Sequence, residues 1–114
     1  MTFPFVAQYA LDTPEVSSQV ASIAPGINAN MSFDQFNQTP ADTMNAVRAL
    51  VLRDDLSFAS AAWFLRTKCT PDIANGLASA SDEAWTRYMT LCIGVDDTSE
   101  RHAVFQKARQ AYGL

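Results

Sequence analysis

A single histidine, His102, occurs in the 114 residues, and that scarcity removes much catalytic chemistry at once. A metal centre built on several imidazoles is excluded, and no serine or cysteine stands at a motif position that would make His102 the base of a triad. The two cysteines, Cys69 and Cys92, lack the CxxC spacing of a redox pair or a zinc ribbon. Lys and Arg total only eight, scattered along the chain, against twelve Asp and Glu. A surface that tracks phosphates needs a concentrated basic face, so nucleic acid is not an expected partner. An anionic membrane surface is disfavoured for the same reason, and no apolar run is long enough to span a bilayer. No motif calls for a metal or a cofactor, and none is expected.

What is present suits a packed helical protein. Hydrophobic residues make up 48% and charged residues 18%, a balance that favours a core over disorder. The length fits one domain, 1–114, able to bury roughly two thirds of its unfolded surface. No linker, fixed-period repeat or low-complexity stretch interrupts it. The start, Met1 to Leu11, carries no basic residue ahead of its apolar part and no small-residue cleavage site, which makes it a poor signal peptide. A secreted form would therefore be a mature chain or an excised piece. Two glycosylation tripeptides, Asn30-Met-Ser32 and Asn37-Gln-Thr39, fall in a polar stretch, the second weakened by Pro40.

Side-chain caps divide the chain into helices. Thr13-Pro14-Glu15, Thr39-Pro40-Ala-Asp42 and Thr70-Pro71-Asp72 each put a hydroxyl, a proline and an acid where a helix begins. The first helix is expected to run to Ala24, with Ser32 to Phe36 as a short turn. Asp54-Asp55 is read as a break and Ser57 as a cap, opening an almost wholly apolar helix. Ser79 or Ser81 caps the next, which Gly94 stops, and Asp97-Thr-Ser-Glu100 opens the last. No stretch alternates with period two. The expected fold is all-α, with about six short helices around a buried central helix, residues 57–68.

Few residues invite a functional reading. The acid pairs Asp54-Asp55, Asp82-Glu83 and Asp96-Asp97 suit caps and helix N-termini better than two carboxylates facing across a cleft. His102, near a helix start, reads as a surface or helix-face residue. The segment from Asn28 to Thr39 is the least ordinary: Asn30, Phe33, Asp34 and Asn37 mix amides, an acid and a ring in a way that suits sugar hydroxyls and pyranose faces. Loop packing and turn formation explain the same residues. Trp63 and Trp85 lie at core-facing helical positions and read as packing. The cysteines allow one disulfide or two free thiols.

At Ser60-Ala-Ala-Trp-Phe-Leu-x-Thr-x-Cys69 and Trp85-x-x-Tyr-Met-Thr-x-Cys92-Ile-Gly-Val95 the chain resembles a group of secreted fungal proteins. These have a lysozyme-like fold related to family 19 glycoside hydrolases, the chitinases. Asp97-x-x-Glu-Arg101 and Phe105-x-Lys-Ala-x-x-Ala111 look like their C-terminal helix. The resemblance implies a Cys69–Cys92 disulfide, an extracellular location, and action on chitin or peptidoglycan-type β-1,4-linked N-acetylglucosamine polymers. By that resemblance the chain looks like the C-terminal helical part of a lysozyme-like domain, either a fragment of it or a partner to a separate N-terminal segment that supplies the catalytic acid. No catalytic residue carries over by motif. Glu15 is the candidate acid, although its first-turn position has a capping explanation. Two other functions stand beside this one: a non-catalytic secreted module binding cell-wall sugar or a protein partner, and a plain helical interaction domain with reduced cysteines.

Overall fold

In the computed structural model, which describes residues 1–114, every regular element is a helix, as the sequence leads one to expect. The α-helices are α1 (Phe3–Asp12), α2 (Pro14–Ile23), α3 (Phe33–Asn37), α4 (Ala41–Leu50), α5 (Asp54–Lys68), α6 (Pro71–Gly76), α7 (Asp82–Arg87) and α8 (Ser99–Ala111). A 3-10 turn, Leu77–Ser79, follows α6, and a π-helical turn, Tyr88–Ile93, extends α7. The helices group into two compact units, Met1–Ala61 and Ala62–Leu114, with the division inside α5.

The first unit has α1 at its centre, packed against α2, α3 and α4. The N-terminal run is thus a core helix. Pro4 lies in its first turn, where a missing N–H costs nothing. Phe3, Val6, Ala7 and Ala10 recur at the i, i+3, i+4, i+7 spacing of a helix face, and all are buried. Val16 and Val20 of α2, Phe36 of α3 and Val47 of α4 are buried on the helices packed against α1. The Tyr9 hydroxyl donates to the Leu56 carbonyl at 2.6 Å, giving a buried polar group its partner across 47 positions of chain.

The second unit is thinly cored, with only Trp63, Ile73 and Met89 buried among its hydrophobic side chains. Cys69 and Cys92 are joined by a disulfide, their Cα atoms 5.3 Å apart. Gly94, at φ 78°, ends the π-turn in the left-handed conformation that glycine adopts without penalty.

The helix expected at 57–68 as a buried centre differs from this in two respects. It begins at Asp54, because the two aspartates fill its first turn, where acids complement the helix dipole, and do not break the chain. Ser57 lies inside the helix and caps nothing. Its full burial is also limited to Leu56 and Trp63, seven residues apart on one face; Phe64 and Leu65 are half-buried, while Phe58 is 82% exposed. Apolar side chains spread around all sides give a helix no single stripe to bury, so each neighbour covers only the line it touches.

Candidate functional site

Glu15 sits in the first turn of α2, exposed, with Oε2 accepting from Arg53 Nη2 at 2.6 Å. Asp55 shares the same guanidinium at 2.8 Å. A glycosidic acid needs a cavity, and a second carboxylate across it. Glu15 is more than half exposed and is engaged in a surface ion pair.

The residues proposed for ligand binding are spread over a turn and a short helix. Asn30 lies in a turn where its N–H donates to Asn28 Oδ1 at 3.0 Å. Phe33 opens α3 and meets Phe5 edge-on, ring centres 4.9 Å apart. Asp34 is in the first turn of α3, and Asn37 is its last residue; both are exposed. Ser32 and Gln35 form a full capping box, each side chain accepting from the other's backbone N–H, at 3.2 and 2.8 Å. That box fixes how α3 leaves the turn, and with Phe36 fully buried it holds the whole segment.

Beside this segment lies a groove of about 350 Å³ between the end of α2 and the start of α4. None of Asn30, Phe33, Asp34 and Asn37 lines it. Its walls are Ile23, Ile27, Met31 and Pro40, with Gln38 and Thr43 supplying polar atoms, and no ionisable side chain reaches it. The signal available in sequence was the lone Met31 in a polar stretch, bracketed by the helix-ending Pro25-Gly26 and the helix-starting Pro40.

In the second unit His102 belongs to a polar cluster that sequence reading missed. Its Nδ1 lies 2.7 Å from Asp97 Oδ2 and its Nε2 2.8 Å from Asp82 Oδ1. Asp97 also accepts from Trp85 Nε1 at 3.0 Å and from the Thr86 hydroxyl at 2.8 Å. Arg109 donates to Asp82 at 3.3 Å. Trp85 stacks on Phe105, ring centres 4.7 Å apart. Hydrogen bonding first to Asp97 and then to Asp82 raises the His102 pKa. Burial pushes the Asp97 carboxyl up, but hydrogen bonds from His102, Thr86 and Trp85 together outweigh it and leave the group below the ordinary carboxylate range. With both ring nitrogens against carboxylates, His102 has no free lone pair to act as a base. Asp82 and Asp97 were read as helix-end acids. Their second role depends on the fold bringing Asp82 to a histidine 20 positions away, which no local spacing encodes.

Comparison with known proteins changes the family reading. No family model matches the chain, and no solved structure matches it. A stretch of 61 residues is 34% identical to a bifunctional dioxygenase (DOX)-epoxy alcohol synthase (EAS) of Fusarium oxysporum (strain Fo5176), covering 54% of this chain and 5% of that protein. The chain spans about a twentieth of the length of the curated relative it matches. The resemblance to lysozyme-like, family 19 glycoside hydrolases is therefore overturned, and the lysozyme-like label on the fold goes with it. Its physical basis was weak: a tryptophan inside an apolar helix, cysteines at two helix ends and an amphipathic last helix meet the packing needs of any disulfide-tied helical unit.

Proposed function

We propose that this chain is a non-catalytic helical module that binds a protein partner, taking a short, uncharged, apolar stretch of it into the groove between α2 and α4. The uncharged lining of that groove carries the reading. Proton transfer needs a titratable group within reach of the ligand, and a phosphate or carboxylate ligand needs a cation there. Ile23, Ile27 and Pro40 offer apolar contact, and Met31 supplies a flexible, polarisable side chain that adapts to varied shapes. Gln38 both donates and accepts, which suits a peptide backbone. A sugar fits less well: no aromatic ring lines the groove, Phe36 being buried and Phe33 turned to Phe5. The disulfide suits an oxidising compartment, and we place the module outside the cell on that ground.

The test is selection of a displayed dodecapeptide library on the intact, oxidised chain, followed by NMR mapping of the selected peptides. Peptides with an uncharged apolar centre should be enriched, should shift the Ile27, Met31 and Thr43 resonances, and should lose at least tenfold in affinity against a folded Met31→Glu variant. Failure to enrich, or equal binding by Met31→Glu, would overturn the reading. An N-acetylglucosamine oligomer serves as the competing probe, and shifts at Phe33 and Asn37 produced by it would restore the sugar reading instead.

A further inference from the structure

The α7–α8 junction carries a chemical constraint that only one protonation state satisfies. A carboxylate is an acceptor only, and a neutral imidazole has one N–H. His102 presents both ring nitrogens to carboxylate oxygens, at 2.7 Å to Asp97 and 2.8 Å to Asp82. Only the imidazolium fills both contacts. After loss of its proton, one nitrogen lone pair would face a carboxylate at hydrogen-bond distance.

Burial contributes little to holding α8 in place. No residue of α8 is buried. Its contacts with α7 lie on the face of His102, Phe105 and Arg109, through the Trp85–Phe105 stack and the Arg109–Asp82 pair. Asp97 is in contrast well fixed, its side chain only 8% exposed and held by Trp85 and Thr86. It has no easy way to turn from a deprotonated ring. The charged groups facing His102 are Asp82 from α7, Asp97 from the connecting loop and, behind Asp82, Arg109 from α8; Arg101 points away to the Asp96 carbonyl.

We propose that His102 is a proton-operated clasp, which docks α8 on α7 while it is doubly protonated and loosens the helix when it loses a proton. The two carboxylates favour the charged ring, so the clasp holds the proton more tightly in the folded chain than in the unfolded one. Its stabilisation is complete below the ordinary histidine value of about 6.5 and is lost as pH rises through the raised value. Alkalisation, not acidification, releases α8.

The experiment is an NMR pH titration of the full oxidised chain, following the His102 ring, the Trp85 indole N–H and the backbone amides of α8. His102 should keep both ring protons beyond the ordinary histidine range. The Trp85 indole and the α8 amides should move with the same midpoint, while amides of α1 to α4 stay still. His102→Gln should lack the transition. Asp82→Asn, which leaves the better-buried Asp97 contact intact, should stay folded and lower the His102 midpoint, a change that a merely space-filling histidine would not undergo. A His102 midpoint at or below the ordinary value, α8 signals indifferent to it, or the same transition in His102→Gln would each overturn the proposal.

Discussion

Phe36 and Phe58 share a side chain and differ in almost everything that decides its worth. Phe36 is fully buried beneath α1, whereas Phe58 on α5 is 82% exposed. Removing a ring from a close-packed site loses its transfer free energy and leaves a cavity that neighbours fill only in part. Phe36→Ala should therefore cost about 3–5 kcal/mol. Phe58→Ala should change stability by less than about 0.5 kcal/mol, as exposed substitutions do. Urea denaturation followed by far-UV circular dichroism measures both, and equal effects would mean that Phe58 is covered in solution. Sequence alone could not rank the two. Each phenylalanine sits in an apolar or half-apolar helix, and helical spacing says which residues share a face but not whether anything covers it. The same limit applies to His102: its local spacing shows a helix-start residue near Asp97, and its second carboxylate, Asp82, arrives from 20 positions away.

Helix boundaries were far more legible, because the groups that set them are local. The three proline-bearing starts and the Ser81 and Asp97–Glu100 starts each open a helix within a residue or two of the expected place. The chemistry inside them is less uniform. Ser81 and Thr98 accept from the backbone N–H groups of Ala84 and Arg101, as N-caps do. The Thr13 hydroxyl instead donates back to the Tyr9 carbonyl at 2.7 Å, and the Thr70 hydroxyl binds Asp72. Where the preceding helix or a nearby acid offers a better partner, the cap position survives on proline geometry alone. The groove was half-legible for the same reason: its turns announce themselves, while its lining depends on how α2 and α4 converge. One boundary carries strain. Ala80 closes the 3-10 turn in the left-handed region, at φ 52°, where an L-residue with a Cβ is disfavoured by about 1–2 kcal/mol and glycine is not. Part of that gain is offset by the entropy glycine adds to the unfolded chain. Ala80→Gly should thus stabilise by about 0.5–1 kcal/mol, read as a higher urea midpoint with unchanged slope; a lower midpoint would mean the turn is not strained.

At the scale of the whole molecule, the two units rest on different kinds of interaction. Residues 1–61 have a continuous apolar core drawn from five helices, while residues 62–114 bury few large side chains and hold together through a disulfide, a stack of rings and charged hydrogen bonds. A segment of about fifty residues with so small a core is marginal without a covalent tie. Linking Cys69 to Cys92 closes a loop of 23 positions, and the entropy it removes from the unfolded chain is worth about 3 kcal/mol. Reduction should therefore act on one unit and spare the other. Residue-resolved hydrogen exchange, run near pH 6 so that His102 stays protonated, should show the amides of α6, α7 and α8 losing protection by roughly a hundredfold in the reduced protein, the equivalent of most of that 3 kcal/mol. The amides of α1, α2 and α4 should keep theirs, because no part of their packing depends on the sulfur bond. Uniform loss across both units would show that they unfold as one cooperative body; no loss in either would mean that the polar contacts alone suffice to hold the second.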